Sequence, residues 1–388
     1  MSHKADFLEE ELVELCQQLI RIKTVNPPGD EETIAEFAAQ YLQEAGLSTE
    51  IIRHSPGRAS LLATLKGDGT QKPLILTGHL DTVPVGAESW KYDPFGGELA
   101  EDKIWGRGSS DMKSGVAVIM AAAKVLAKTE TKLKGDVILA LTAGEEVDSL
   151  GALAMAGRPE MQNAQGLLVS EPSSNEIFIG EKGALWVELR TFGKTAHGSM
   201  PDLGHNAILM MSAFLNAFQN LNIPFETDPL LGGFSCSVNT IRGGVKTNVV
   251  PDYCELSIDM RTVPGQVHQD ILNRLQEILA ALERKDPAFK AQLKVINDRQ
   301  PVKTPPDHPL VLKFNKALAK VSGKPSALKG VRYYTDGAAF VAANPELPML
   351  ICGPGEAGLA HQPNEFVETE KLTECLRIYV AAIQEILG

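Results

Sequence analysis

A histidine and an aspartate follow one short apolar run of this sequence at a spacing that could bind a metal ion. The run Leu74–His79 ends in Gly78-His79, and Asp81 stands two residues further on. Side chains two residues apart on extended backbone leave the same face of the chain. Imidazole is a common zinc ligand, and a ligating histidine usually donates its other N–H to a carboxylate or carbonyl. His79 is therefore a candidate metal ligand, with Asp81 as its orienting partner.

Similar residues return at the ends of further apolar runs. They are Asp111 after the turn 106–110, Glu145 and Glu146 after the run 136–143, Glu171 after the run 164–170, and His361 after the loop that leaves the run 348–352. A lone His-x-Asp pair is more often a hydrogen-bonded surface pair, and a lone Glu-Glu pair more often begins a solvated helix. Their recurrence favours a shared site, because ligands in open α/β sheets collect at the carboxyl ends of strands.

The residue types favour a pair of divalent metal ions. Two histidines and three carboxylates, one of them shared, suit two such ions. The mixed nitrogen and oxygen donors favour zinc, with cobalt or manganese as substitutes. Of Glu145 and Glu146 only one easily faces an ion, and the other is placed to move a proton from water to a leaving amine. The five cysteines are scattered and form no Cys-x-x-Cys pair, so we expect neither thiolate zinc sites nor disulfides.

The elements that carry these residues follow two patterns. Over residues 1–184 strands and helices alternate, which predicts an α/β domain with helices on both faces of its sheet. Over 185–298 the order is β-α-β-β-α-β, which predicts an inserted ferredoxin-like α+β domain. The α/β pattern resumes over 299–388, after the proline-rich stretch 301–309. The sequence therefore predicts a catalytic domain in two parts, interrupted by a smaller domain.

Composition excludes several classes of protein. A chain of 388 residues with 44% hydrophobic and 22% charged residues is typical of a globular protein with more than one core. The net charge of −12 argues against binding to nucleic acid or to an anionic membrane. No apolar run approaches the roughly 20 residues of a membrane span, and the amino terminus carries no apolar signal core. We therefore expect a cytoplasmic protein.

Several blocks of this sequence resemble the co-catalytic zinc amidohydrolases, the family of acetylornithine deacetylase, succinyl-diaminopimelate desuccinylase, aminoacylase and carboxypeptidase G. The blocks are Thr77–Pro84, Gly106–Gly115, Gly144–Glu146, Ser170–Pro172 and Ala360–Glu365. They occur in the family's order across nearly the whole chain. The resemblance implies a zinc-peptidase-like catalytic domain with helices on both faces of a mixed sheet. It also implies that the inserted domain forms a homodimer and closes over the substrate.

The resemblance implies a role for each matching residue of the catalytic domain. The metal ligands would be His79, Asp111, Glu146, Glu171 and His361, and Asp111 would bridge the two ions. Asp81 would orient His79, and Glu145 would be the general base. Relatives with glutamate at the position of Glu171 tend to be deacylases or carboxypeptidases, whereas aminopeptidases and dipeptidases tend to carry aspartate there.

The resemblance also implies residues that would hold the substrate. His197, in the block Lys194–Pro201, would help to stabilise the oxyanion, often across a dimer interface, although an isolated histidine is more often a surface residue. Asn248 and Arg261 lie where relatives bind substrate, and an arginine there would grip a carboxylate through two parallel hydrogen bonds. The alternative for Arg261 is a surface salt bridge. The loop containing Thr335 and Gly337 would offer backbone amides to a carboxylate, and Asp336 has no assigned role.

These inferences predict hydrolysis of the amide bond of an N-acyl-L-amino acid. Metal ions would polarise the carbonyl and activate the attacking water, and Glu145 would be the base. The block around His361 looks closest to acetylornithine deacetylase. Succinyl-diaminopimelate desuccinylase, a carboxypeptidase or a dipeptidase is the alternative. The alternative outside the enzymes is a binding protein that keeps this fold but has an inactive site. Such a protein would lack a metal ligand or the general base, and none of these residues is missing.

Overall fold

The computed structural model describes residues 2–129 and 132–388, which form two compact units. Unit 1 runs to Gly180 and also includes Lys303–Gly330 and Thr335–Gly388. Unit 2 comprises Glu181–Val302 together with Val331–Tyr334. The short segment Val331–Tyr334 contacts the rest of unit 2: Val331 O accepts a hydrogen bond from Lys182 N at 3.2 Å, and the Tyr334 ring lies 6.2 Å from the Trp186 ring. The sequence analysis did not predict this return of the chain.

The secondary structure of the described residues alternates between strands and helices. The helices are α1 (Ser2–Arg21), α2 (Glu32–Glu44), α3 (Lys113–Ala127), α4 (Leu150–Ala156), α5 (Pro159–Gln162), α6 (Ala207–Phe218), α7 (His268–Lys285), α8 (Pro309–Ser322), α9 (Gly337–Ala343) and α10 (Thr369–Leu387). The strands are β1 (Ser48–Ser55), β2 (Arg58–Leu65), β3 (Leu74–His79), β4 (Glu98–Ala100), β5 (Lys103–Trp105), β6 (Val137–Thr142), β7 (Gly166–Val169), β8 (Ile177–Glu181), β9 (Gly183–Phe192), β10 (Ser235–Gly243), β11 (Tyr253–Thr262), β12 (Ala291–Arg299), β13 (Val302–Lys303), β14 (Leu328–Val331), β15 (Met349–Ile351) and β16 (Phe366–Glu368). None of the described helices combines the length and the apolar character needed to cross a lipid bilayer.

The main sheet is mixed and is buried on both faces. Its strands follow the order β1-β2-β6-β3-β7-β15-β8, in which β3 runs parallel to both β6 and β7, and β2 runs antiparallel to β6. Every side chain of β3 and β6 is buried, and successive side chains of a strand point to opposite faces. Both faces are therefore covered, as the sequence predicted. Helix α3 is buried along most of its length and contacts α1, α10 and the sheet.

Three parallel neighbouring strands bring the chemically active residues to one edge of this sheet. His79 is the last residue of β3, Glu145 follows the end of β6, and Glu171 follows the end of β7. Because β6, β3 and β7 are adjacent and parallel, the three carboxyl ends lie side by side. This arrangement gives a physical reason for the recurrence of acids and histidines at strand ends in the sequence.

Unit 2 has the ferredoxin-like arrangement that the sequence predicted. Its antiparallel sheet has the order β10-β11-β9-β12, and α6 and α7 pack against it. Strand β11 alternates between buried and more exposed residues, so one of its faces carries the core. That core includes Leu185, Val187, Phe214, Leu256 and Leu275. The fold class inferred from the sequence, an α/β domain with an inserted α+β domain, is confirmed.

Gly115 offers a test of how closely α3 packs against the end of β7. A Cβ atom on Gly115 would lie 2.0 Å from the backbone oxygen of Ser170, which directly precedes Glu171. Rigid backbone cannot yield as a flexible side chain does, so we expect Gly115→Ala to lower the free energy of unfolding by about 1–3 kcal/mol. Denaturant unfolding measures the effect. Gly157→Ala is the control, because nothing lies within 4 Å of its Cβ position, and equal stabilities of the two variants would contradict the prediction.

Candidate metal centre

Two groups of side chains in unit 1 could each hold a metal ion, and they share one aspartate. The first group contains His79, Asp111 and Glu171, and the second contains Asp111, Glu146 and His361; the donor atoms within each group lie within 4.8 Å of one another. His79 Nε2 is 3.1 Å from Asp111 Oδ1. His361 Nε2 is 3.1 Å from Glu146 Oε2 and 3.4 Å from Asp111 Oδ2. The structure thus brings together the five residues that the sequence singled out as ligands.

The chemistry of these groups fits divalent cations. The side chains of Asp111, Glu146 and Glu171 are between 7% and 12% exposed, so three carboxylates lie nearly buried in one place. Glu146 Oε1 is buried and makes no hydrogen bond with the described residues. A buried carboxylate oxygen without a partner is costly, and a metal ion provides the missing partner. The imidazole and carboxylate donors suit zinc.

The electrostatics of the cluster show an excess of negative charge. Burial raises the pKa of Glu171 well above its usual range, and the neighbouring Asp111 carboxylate raises it further. Burial lowers the pKa of the His79 imidazole, but Glu171 and Asp111 outweigh that effect and raise it well above its usual value. Hydrogen bonds with Asp111 and Glu146 raise the pKa of His361 to about 10. Each shift favours holding additional positive charge at this edge of the sheet.

Glu145 differs from its neighbour Glu146 in its surroundings. Its carboxylate makes no hydrogen bond with any residue the structure describes, and the side chain is half-buried. Burial raises the pKa of Glu145 well above its usual range; His79 opposes this shift, and Glu171 and Asp336 add to it. A carboxylate that is free of partners and holds a proton more firmly than usual is suited to proton transfer.

Asp81 contacts the predicted partner His79 through its backbone carbonyl, and its carboxylate binds another group. The backbone carbonyl of Asp81 lies 2.9 Å from His79 Nδ1, whereas its carboxylate oxygen is 3.7 Å from that nitrogen. The carboxylate instead accepts hydrogen bonds from the backbone N–H groups of Gly144, Glu145 and Glu146 at 3.0–3.2 Å. The carbonyl therefore orients the histidine, while the carboxylate fixes the turn that carries Glu145 and Glu146.

A second layer of polar side chains supports this turn. Asn26 Nδ2 donates to Asp81 Oδ2 at 2.8 Å, and Arg58 Nε donates to the buried Glu31 at 2.6 Å. A Cβ on Gly144 would lie 2.9 Å from Arg58 Nη2, so the guanidinium is close to the turn, and the φ of +84° at Gly144 favours glycine. The sequence analysis gave no role to Asn26, Arg58 or Glu31.

Glu365 holds the other turn of the centre, the one that carries the shared ligand. Its Oε1 accepts hydrogen bonds from Ser110 N at 2.7 Å and Asp111 N at 2.9 Å. Its Oε2 accepts from the buried Arg107 guanidinium. Burial raises the pKa of Glu365 to about 7, against the opposing effect of Arg107. The sequence analysis included Glu365 in a family block without giving it a role, because its partners are about 250 residues away.

The remaining candidates in unit 1 lie on the loop before α9. Thr335, Asp336 and Gly337 are all buried. The backbone N–H of Gly337, expected to meet a substrate carboxylate, donates instead to Thr335 Oγ1 at 3.0 Å. Burial raises the pKa of Asp336 to about 6, although the Thr142 hydroxyl opposes the shift. Asp336 also adds to the negative potential at Glu145 and Glu171, which places its charge near the centre.

In unit 2 the structure brings together His197 and Asn248. The backbone of His197 forms a bridge with Val249, and Gly198 N donates to Asn248 O at 2.8 Å. The exposed His197 ring accepts a hydrogen bond from Ser199 N at Nδ1, at 3.2 Å. A neutral ring that accepts at Nδ1 carries its proton on Nε2. Arg261 lies elsewhere in unit 2, on β11, paired with Asp259.

The comparisons with known proteins agree with this geometry. The model of the family described as Peptidase family M20/M25/M40 matches residues 75–385. The chain belongs to this family. A probable succinyl-diaminopimelate desuccinylase of Staphylococcus aureus (strain MRSA252) is 26% identical over 97% of both chains. The N-formyl-4-amino-5-aminomethyl-2-methylpyrimidine deformylase of Bacillus subtilis (strain 168) is 30% identical, over 97% of this chain and 95% of its own.

A solved structure shows the same fold. The M20 family metallo-carboxypeptidase Sso-CP2 from Sulfolobus solfataricus superimposes with a TM-score of 0.81 at 19% identity, over 97% of this chain and 100% of its own. Membership confirms the family inferred from the sequence blocks and the enzyme class that follows from it. The chain is a metal-dependent M20 hydrolase of amide bonds.

Replacing Asp81 tests the role of its carboxylate in this M20 enzyme. Asparagine has one acceptor oxygen, so in Asp81→Asn an amide N–H would face the backbone N–H groups of the turn. Outer groups that orient ligands typically change activity or metal affinity about 10–100-fold, and we expect a loss of that size in turnover or metal content. Steady-state kinetics and metal analysis measure it. Asp68→Asn is the control, because Asp68 accepts a backbone N–H at an exposed turn, and an equal effect on both variants would contradict the role.

Proposed function

We propose that this M20 enzyme removes the acyl group from an N-acylated L-amino acid. The support comes from the free carboxylate of Glu145 beside two ligand groups that share Asp111. The names of two relatives, a probable desuccinylase and a deformylase, describe removal of a short acyl group. The acetylornithine branch predicted from the His361 block is one form of this proposal. Peptide hydrolysis is the second candidate, favoured by the metallo-carboxypeptidase of the same fold.

The proposal assigns the ligand groups to two ions. His79, Asp111 and Glu171 would hold one ion, and Asp111, Glu146 and His361 the other. Zinc fits these donors, and cobalt or manganese are substitutes. Bound ions of this kind supply Lewis acidity that polarises a carbonyl and activates water. Asp81 and Glu365 keep the two ligand-bearing turns in place through their backbone hydrogen bonds.

Glu145 is the proposed general base and then general acid. Its carboxylate would take the proton of the attacking water and return it to the amide nitrogen as the C–N bond breaks, so that the amine leaves neutral. The absence of a hydrogen-bonding partner among the described residues supports this role, because no ion pair has to be broken first. In unit 2, His197 would donate its Nε2–H to the carbonyl oxygen as negative charge develops there.

A non-catalytic binding protein that keeps this fold is the alternative from outside the enzymes. It would require the loss of a ligand or of the base, and the described residues include all of them. The substrate-binding roles of Asn248, Arg261, Thr335 and Gly337 belong to the proposal and follow from the family resemblance. A cytoplasmic location remains a prediction from the sequence.

Release of primary amine from a panel of amides tests the function. We expect release from one of the N-acetyl, N-succinyl and N-formyl amino acids with added zinc, and its loss with a chelator. In Glu145→Gln we expect turnover to fall by at least about 100-fold while metal stays bound, because the amide cannot carry the proton. Glu98→Gln, on the exposed strand β4, is the control. Release from dipeptides alone would favour the peptidase, and metal-bound protein with no activity on any amide would favour the dead site.

We expect the enzyme to be a homodimer through unit 2. Strand β10 is at the edge of the unit 2 sheet, and all nine of its residues are exposed, including Val238 and Ile241. Exposed apolar edge strands pair with other strands. Analytical ultracentrifugation at micromolar concentration should give twice the chain mass of 41.8 kDa. Ile241→Asp should shift the protein towards monomer, whereas Leu312→Asp on the exposed face of α8 should not; a monomeric wild type would contradict the prediction.

A further inference from the structure

The two imidazoles of the metal centre are held by the chain in different ways. His79 is the last residue of β3, and its side chain is 1% exposed. His361 lies on the loop between the 3-10 helix Ala357–Leu359 and β16, and its side chain is 53% exposed. The φ of His361 is +64°, in the left-handed region that residues other than glycine rarely adopt. Such a backbone persists only where surrounding contacts fix it.

The guanidinium of Arg107 makes contacts of this kind with the loop that carries His361. Its Nη2 donates to the backbone oxygen of His361 at 3.5 Å, and its Nη1 donates to that of Gln362 at 3.3 Å. Nη2 also donates to Pro84 O at 3.3 Å, on the loop after β3, and Nη1 donates to Glu365 Oε2 at 2.5 Å. One planar group therefore joins the backbone of the His361 loop to two other parts of the centre.

Arg107 is itself fixed in position. Its side chain is 2% exposed, and its guanidinium carbon lies 5.1 Å from the centroid of the Trp90 ring. Its backbone N–H donates to Pro94 O at 2.7 Å, and Gly106 N donates to Glu365 O at 2.9 Å where β5 and β16 pair. The N–H donors of an arginine lie in one rigid plane, so a fixed guanidinium sets the direction of the carbonyls that it meets.

We propose that Arg107 is a positioning residue that holds His361 within reach of the second ligand group and thereby determines whether that group binds its metal ion. Arg107 acts through the backbone of His361, whose Nε2 lies 3.1 Å from Glu146 Oε2 and 3.4 Å from Asp111 Oδ2. Without this support the exposed imidazole would be free to leave the two carboxylates. The inference rests on the assignment of the ligand groups to two ions in the proposed function.

Arg107 has a second connection to the centre, and a suitable substitution separates the two. Glu365, which pairs with Arg107, also accepts a hydrogen bond from Asp111 N, so loss of the positive charge would disturb the shared ligand. Lysine keeps a positive charge opposite Glu365, but its ammonium cannot reproduce the planar fork that meets the carbonyls of His361 and Gln362. Arg107→Lys should therefore leave the turn of Asp111 in place and release the His361 loop.

Zinc binding by the full chain provides the experiment. Competition with a chromophoric chelator measures the two zinc dissociation constants, and His361→Ala identifies the constant of the second group because it removes that group's imidazole. In Arg107→Lys we expect this constant to rise at least about tenfold, the effect typical of groups that orient a ligand, while the other constant stays unchanged. The double variant Arg107→Lys/His361→Ala should bind zinc as His361→Ala does, because Arg107 then has no imidazole to position.

Arg158→Lys is the matched control for this substitution. Arg158 pairs with Glu50 and Glu160, in another part of unit 1, so its replacement should keep both zinc constants. The inference would be overturned if Arg107→Lys kept the second constant or weakened both ions equally. It would also be overturned if the effects of Arg107→Lys and His361→Ala multiplied in the double variant, since Arg107 would then act independently of His361.

A second pair of variants covers the case in which Arg107→Lys does not fold. Glu365→Gln and Glu365→Gln/Arg107→Gln differ only at Arg107, and the double variant leaves no unpaired charge buried at this place. The double variant should bind the second ion more weakly than Glu365→Gln, and equal constants would overturn the inference.

The zinc measurements also separate this inference from the proposed function. A wild type that binds two zinc ions, depends on Arg107 as expected and hydrolyses no amide would refute the proposed function and support the role of Arg107. A wild type that binds a single ion would overturn the two-ion assignment and the role of Arg107 with it, even if the enzyme releases amine from one of the acylated amino acids.

Discussion

The rest of this structure depends on one constraint, the free-energy cost of confining several carboxylates at one buried edge of the main sheet. Asp111, Glu146 and Glu171 lie nearly buried with two imidazoles between them. These carboxylates repel one another, so the arrangement requires a backbone that holds them in place and cations that neutralise their charge. The adjacent parallel strands β6, β3 and β7 hold the backbone in place, because hydrogen bonds join β3 to both of its neighbours.

Two further carboxylates accept hydrogen bonds from backbone N–H groups and are not among the proposed metal ligands. Asp81 accepts the N–H groups of the turn after β6, and Glu365 accepts those of Ser110 and Asp111. In both cases a buried anion is satisfied by several backbone donors, which also fixes the loop that carries the functional side chain. The ligand positions are therefore set by hydrogen bonds in the protein itself, and a bound ion meets groups that are already oriented.

The sequence allowed much of this arrangement to be predicted. His79, Glu146 and Glu171 were recognisable because parallel strands end at one edge, so residues that are distant in sequence meet there. The insert was recognisable because its strands and helices follow the ferredoxin-like order. Strand periodicity and turn chemistry are local properties, and local properties can be read from a sequence.

Other features depend on contacts that no local pattern encodes. The sequence does not show that the turn after β6 lies close to Asp81. It therefore could not predict that the Asp81 carboxylate accepts hydrogen bonds from that turn. Arg58 belongs to no recognisable sequence motif. Its structural role follows from its position beside Gly144 and Glu31. The short strand β8 was missed between a proline-containing turn and the insert. The return of Val331–Tyr334 to unit 2 involves contacts with Lys182 and Trp186, which are about 150 residues away in the sequence.

The dependence of Asp111 on Glu365 has a consequence for biosynthesis. The ribosome makes His79, Asp111 and Glu171 before the inserted unit. His361, which completes the second ligand group, and Glu365, which holds the turn of the shared aspartate, are made after it. Domains begin to fold from the amino-terminal side during synthesis. A nascent chain can therefore pair β6, β3 and β7 and carry the first three donors before the inserted unit exists, whereas strand β15 of the same sheet and the second ligand group are completed only after that unit. The second ligand group therefore becomes available to a metal ion only after the inserted unit has been made.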